Sequence, residues 1–93
     1  MITYKIMLTG KAEEHILKHR KSGNIMALKK INALLLKIEI HPRSGSGQIE
    51  QLKYFKKETW SRRINQEHRL VYSIDDEKIT VTIISAHGHY SAK

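Results

Sequence analysis

The sequence predicts an α+β fold with the element order β-α-α-β-β-β-β, an antiparallel sheet with two helices packed on one face. Three observations carry that prediction. Two stretches in the first half are each preceded by a residue able to cap a helix, and the second places apolar residues at helical spacing. Stretches in the second half alternate apolar and polar residues with period two. A short apolar run, β-branched in part, precedes the helices.

Ile2 to Leu8 is that first run and reads as a strand. Thr9 caps a helix expected from Lys11 to about Lys21, ended by Ser22-Gly23. Asn24 caps a second helix from Ile25 to about Glu39. Ile25, Leu28, Ile31, Leu35 and Ile38 form its expected buried stripe, with Lys29, Lys30 and Lys37 outside it. His41-Pro42 stops this helix, because the residue before proline disfavours helical backbone. Arg43 to Gln48 is a basic loop carrying Gly45 and Gly47, without the Gly-Lys-Ser/Thr of a P-loop. Ile49 to Tyr54 is a short strand, and Phe55 to Thr59 connects it to a hairpin.

The hairpin spans Trp60 to Tyr72. Trp60, Arg62 and Ile64 alternate with Ser61 and Arg63. Leu70, Tyr72 and Ile74 alternate with Arg69, Val71 and Ser73, across a polar turn at Asn65, Gln66 and Glu67. The link has no Asn-Gly or Asp-Gly pair, so a longer or bulged turn is expected. Asp75, Asp76 and Glu77 make the next turn. Lys78 to Ser85 then sets Ile79, Val81 and Ile83 against Thr80 and Thr82 as the last strand. His87 to Lys93 is a polar tail. Trp60 and Tyr72 are expected in the core; Tyr54 and Phe55 belong either to the core or to a partner-binding surface.

With 93 residues, one domain over 1–93 is expected, with 91–93 as a tail. A domain this small buries only roughly 60–65% of its unfolded surface. There is no cysteine, which excludes a disulfide scaffold and a thiolate metal site and suits a reducing cytosol. Seventeen Lys and Arg against nine Asp and Glu give a net charge of +8, which favours a polyanionic partner, nucleic acid or acidic protein. The N-terminal apolar run is too short for a signal peptide, and no segment approaches the ~20 apolar residues that span a membrane. A soluble cytoplasmic protein is expected.

Several side chains could carry chemistry. The hairpin holds Arg62, Arg63 and Arg69 in a short span, and an arginine fork matches a phosphate. Arg69, on the face opposite Leu70, reads either as a salt-bridge partner of Glu67 or of an acidic residue across the sheet, or as a phosphate clamp. Glu50 reads as a surface carboxylate paired with Lys53, the commoner case for a glutamate, or as a general base. His89 is a tail histidine without a role, or a general acid. His87 and His89 alternate and could chelate a metal, but most histidine pairs at this spacing are not ligands, so no metal ligand is assigned. His15 and His19 share a helix face without an H-E-x-x-H motif and read as a solvated face.

Three separated segments resemble, in order, one known family. W-S-R-R-I-N-Q-E-H-R-L-V-Y, Trp60 to Tyr72, resembles the core motif of the YoeB-type toxins of bacterial toxin–antitoxin modules, a branch of the RelE-like superfamily. Gly45 to Lys53 resembles that family's G-x-G-x-x-E-x-L-K segment, and Gly88-His89-Tyr90 its terminal x-H-Y. The resemblance runs from about Ile31 to Tyr90 and is far more specific than one short motif. The family usually carries an Arg two residues before its catalytic His, where this chain has His87. It often ends near the Tyr, where this chain adds Ser91-Ala92-Lys93.

The resemblance implies a metal-independent endoribonuclease that cuts mRNA in the ribosomal A site through the substrate's own 2′-hydroxyl. It assigns Glu50 as general base, Arg69 as phosphate clamp and His89 as general acid. Lys53 and Arg63 become auxiliary phosphate contacts, and Tyr90 stacks on a base or orients the phosphate. No cofactor is implied. The implied partners are a cognate acidic antitoxin of the YefM/Axe type, the ribosome with its mRNA, and operator DNA only as the toxin–antitoxin complex; a homodimer is also implied. The competing expectation is a non-catalytic module that binds ribosomal RNA, or operator DNA with its antitoxin, through the same basic sheet.

Overall fold

The computed structural model describes residues 2–45 and 48–88. The order is β1 Lys5–Leu8, α1 Gly10–Lys21, α2 Ile25–Ile40, β2 Ile49–Leu52, β3 Thr59–Arg63, β4 Arg69–Asp75 and β5 Thr80–Ser85. Both helix starts form as their caps require. The Thr9 hydroxyl accepts the Ala12 N–H at 3.0 Å, and the Asn24 side-chain oxygen accepts the Ala27 N–H at 3.2 Å. α2 ends at Ile40, directly before His41-Pro42.

The sheet order is β1-β5-β4-β3-β2. β2, β3, β4 and β5 pair antiparallel, as expected. β1 instead pairs with β5 in parallel, so the sheet is mixed. The reason is the helical hairpin. It carries the chain over one face from β1 at one edge to β2 at the other, and β5 returns beside β1 in the same direction.

The core lies between the helices and that face. Ala12, Ala27, Ile31, Leu34 and Ile38 meet Ile64, Leu70, Tyr72, Ile74, Val81 and Ile83, with Trp60 half-buried against them. The α2 stripe therefore differs from the expected one. Ile31 and Ile38 are buried, but Ala27 and Leu34 complete the face. Leu28 and Leu35 flank it half-buried, and Ile25 is 61% exposed. Ile25 opens the first turn of α2.

Three strand boundaries also shift inward. β1 begins at Lys5 rather than Ile2. β2 ends at Leu52 because Tyr54 adopts φ +70°, which breaks the extended backbone; Tyr54 is exposed and so not in the core. β5 begins at Thr80, after Ile79 at φ +47°. At the β3–β4 link, the Asn65 carboxamide oxygen accepts the N–H groups of Glu67 and His68, both at 2.8 Å. This Asx turn replaces the missing Asn-Gly pair.

Candidate functional site: the open face of the sheet

Paired residues in a sheet project to the same face. Leu70, Tyr72 and Ile74 point at the helices, so Arg69, Val71 and Ser73 point away, with Ser61 and Arg63 beside them. Glu50 pairs with Ser61 and joins this face away from the helices, on which Ser61 and Val71 are buried and Glu50 is exposed. Register thus puts Glu50, Arg63 and Arg69 on one surface. From strand spacing, Cα of Glu50 is roughly 8 Å from that of Arg63 and roughly 12 Å from that of Arg69.

Arg63 and Arg69 are directly opposite one another. Like charges in such a pair repel. Among the described residues neither has an ion-pair partner; Arg63 Nε reaches only the Asn65 carbonyl, at 3.4 Å, and the Glu67 carboxylate lies by His68 instead. Glu50 is likewise exposed and without an ion pair to Lys53 among the described residues. Lys53 follows β2 at the same edge and is exposed.

The third hairpin arginine does different work. Arg62 faces the helices and is 1% exposed. Its Nε donates to the Tyr72 hydroxyl at 3.0 Å, and its Nη2 donates to the carbonyls of His41 and Ser44. The Tyr72 hydroxyl in turn donates to the Pro42 carbonyl at 2.6 Å. Burial pushes the Tyr72 phenol above its usual range, against the opposing pull of Arg62. Gly45, at φ +139°, lets the loop pass this guanidinium; a Cβ there would stand 3.2 Å from Arg62 Nη1.

A second set of contacts holds the same loop from outside. Arg43 donates to both oxygens of Glu58, at 2.6 and 2.8 Å, and to Asp76 at 2.7 Å. Trp60 Nε1 also donates to Glu58, and the Tyr4 hydroxyl to Asp76. The Arg43 hydrogen bond holds the Glu58 carboxyl below its usual range; for Asp76 the Tyr4 hydroxyl is the larger cause, followed by Arg43.

His89 and Tyr90 lie outside the described residues. The chain that leads to them does not. The Gly88 carbonyl accepts the Arg69 N–H at 3.0 Å, so the chain passes residue 88 beside Arg69. Gly88 itself is at φ +85°, a conformation that favours glycine.

Four histidines gather around this segment. His15 and His19 come from α1, His68 precedes β4, and His87 follows β5. The expectation of a solvated His15/His19 face is corrected. His19 is 1% exposed, and its Nε2 donates to the Ala86 carbonyl at 2.8 Å. His15 Nδ1 accepts the Ala86 N–H at 3.0 Å, and His68 Nδ1 accepts the Gly88 N–H at 2.9 Å. Burial, then nearby cationic groups, push His15, His68 and His87 below the usual imidazole range. Helical spacing could not reveal this cluster, because its other members lie 49 or more positions further along the chain, just before β4 and just after β5.

Nitrogens of His19, His68 and His87 come within 4.8 Å of one another. A backbone N–H can only donate, so Nδ1 of His68 carries the lone pair and its neutral ring carries the proton on Nε2. That ring offers no free lone pair, and the arrangement is a hydrogen-bonded cluster rather than three converging metal ligands.

Comparison with known proteins agrees with the motifs. The family described as "YoeB-like toxin of bacterial type II toxin-antitoxin system" matches residues 10–90. A Toxin YoeB from Synechocystis sp. is 49% identical over 63 residues, covering 68% of this chain and 71% of that one. The structure of the YoeB dimer from Staphylococcus aureus superposes with a TM-score of 0.81 at 36% identity, covering 95% of this chain and 99% of that chain. The YoeB-YefM complex from the same organism superposes with a TM-score of 0.77 at 38% identity, covering 94% and 98%. On these matches and on the motifs that open the hairpin, the chain belongs to the YoeB-like toxins of bacterial type II toxin–antitoxin systems.

Proposed function

We propose that this toxin is a ribosome-dependent endoribonuclease that cuts mRNA in the A site. The observation that carries this reading is the Arg63–Arg69 pair: two cations opposed in register on the Glu50 face, with no carboxylate between them among the described residues. Such a pair costs stability unless an anion is its ligand. A scissile phosphate is an anion of the right size and fork geometry.

Glu50 takes the proton of the substrate 2′-hydroxyl. The oxygen attacks the adjacent phosphorus, and the bond from phosphorus to the 5′ oxygen breaks. His89 protonates that leaving oxygen. Arg69, aided by Arg63 and Lys53, stabilises charge growing on the non-bridging oxygens, and Tyr90 stacks on a base. The products are a 2′,3′-cyclic phosphate and a 5′-hydroxyl. The nucleophile comes from the substrate, so cleavage needs no metal ion.

The reading extends to partners. The basic open face suits the acidic segment of a YefM-type antitoxin, by analogy with the S. aureus complex, and a homodimer follows the S. aureus dimer. Operator DNA is bound only as the toxin–antitoxin complex. Among the described residues no helix is long and apolar enough to cross a membrane, and the ribosomal substrate puts the toxin in the cytoplasm as one domain.

The test is primer extension on mRNA held in the A site of purified ribosomes, with Glu50→Gln as the comparison. Cleavage by the native chain, abolished by the substitution and insensitive to EDTA under conditions that preserve the ribosome, is expected. Ribosome binding without cleavage would replace this reading with the non-catalytic module.

A further inference from the structure

We propose that His15 and His68 are positioning residues for the proposed general acid: their Nδ1 atoms receive the amides of Ala86 and Gly88 and so set the path of the chain into His89. This rests on the reading of His89 given above. The residues concerned are distant in sequence and converge on Ala86 and Gly88. His15 Nδ1 accepts the Ala86 N–H, His19 Nε2 donates to the Ala86 carbonyl, and His68 Nδ1 accepts the Gly88 N–H. The Arg69 N–H holds the Gly88 carbonyl. Both backbone groups of Ala86 and both of Gly88 are thus occupied, one residue short of position 89. β5 has ended at Ser85, so no strand pairing fixes this segment. The histidines replace the missing ladder.

The device works in one protonation state. A neutral imidazole can accept at Nδ1; a protonated one presents an N–H to the amide N–H and repels it. His19 donates in either state, so the two acceptors carry the sensitivity. The charged and titratable groups around them are mostly cationic. Lys11, Lys18 and His19 of α1 act on His15, with Glu14 opposing. His19 and Lys18 act on His68, with Glu67 of the turn opposing. His87 stacks near both His68 and His15, with ring centroids 4.2 and 5.8 Å away. Burial is the largest influence on each and also favours the neutral ring. The clamp is therefore intact at neutral pH and opens as pH falls below the ordinary histidine value of 6.5.

Two measurements test this, and they separate it from the nuclease reading. In the first, the ring nitrogens of His15 and His68 and the amides of Ala86 and Gly88 are followed by NMR in the isolated toxin from pH 8 to pH 4.5. Both rings are expected as Nε2–H tautomers, with the Gly88 amide shift following the titration of His68. An Nδ1–H tautomer at pH 7, or a Gly88 amide indifferent to His68, overturns the proposal. So does added zinc moving the His19, His68 and His87 rings together, which would mark a metal centre.

The second measurement is single-turnover cleavage. His68→Leu should slow it about 10²-fold, the scale for displacing a reacting group by ~1 Å, with little change in ribosome binding. His68→Asn, whose Oδ1 replaces the Nδ1 acceptor and does not titrate, should recover most of the rate and lose the part of the acid limb due to the clamp. His68→Leu cutting at the native rate overturns the proposal. A native chain that does not cut, with the Gly88 amide still following His68, overturns the nuclease reading and leaves the clamp standing.

Discussion

Replacing Arg69 by Gln should move activity and stability in opposite directions. The substitution keeps a polar side chain, shorter and with fewer donors, and removes one charge. Arg69 opposes Arg63 across the β3–β4 ladder, without a carboxylate partner among the described residues. Removing an opposed like charge should gain ~0.2–1 kcal/mol. Both side chains are half-buried, and solvent screening favours the lower end of that range. At ~4–8 °C per kcal/mol for a domain of this size, Tm should rise by ~1–8 °C. The rise should shrink at high salt, because screening already weakens the repulsion in the native chain. The Arg69 backbone N–H to Gly88 is untouched. Cleavage should nevertheless fall by roughly 10²–10³-fold, the scale for losing one group that stabilises transition-state charge. The assays are a melting curve at two salt concentrations and single-turnover cleavage on programmed ribosomes. A variant that melts several degrees lower and still cuts at the native rate would refute the reasoning, since Arg69 would then be a structural cation.

The remaining tests address other parts of the site. His89→Gln should remove most of the cleavage rate and abolish the fall of the native rate at high pH, whereas His87→Gln should cost far less; equal losses in the two would point to a shared role. Arg62→Met should destabilise by about 2–4 kcal/mol in urea unfolding, because the buried Tyr72 hydroxyl and the part-buried carbonyls of His41 and Ser44 lose their donor; a change under ~1 kcal/mol would show that the loop does not depend on it. Glu58 has a folded-state pKa lowered from an ordinary value of 4.5, so the stability it adds is complete above that pH and is lost as pH falls through the folded value. Glu58→Gln should accordingly flatten the fall of Tm below about pH 4.5, and an unchanged acid slope would remove Glu58 from that account.

Local chemistry determined much of this protein in advance. Thr9 and Asn24 start their helices because a side-chain oxygen satisfies an amide that the helix leaves open, and His41-Pro42 ends the second for an equally local reason. The alternation from Trp60 to Ile74 specified which residues share a face, so Arg69 was already separated from Leu70. The ordered motifs were enough to indicate the family. Other features needed the folded chain. Nothing local distinguishes Arg62 from Arg63; Arg62 is structural because the loop at 41–45 closes over its face of the sheet. The parallel β1–β5 pair depends on where the helical hairpin sets the chain down. The histidine cluster joins α1 to residues 68 and 86–88, so a helix face that reads as solvated is closed by the segments before β4 and after β5. Spacing along a helix or strand reports only neighbours within a few residues, while the partners of these polar groups lie from 18 positions away, for Arg62 and Ser44, to 71, for His15 and Ala86, and only packing brings those together.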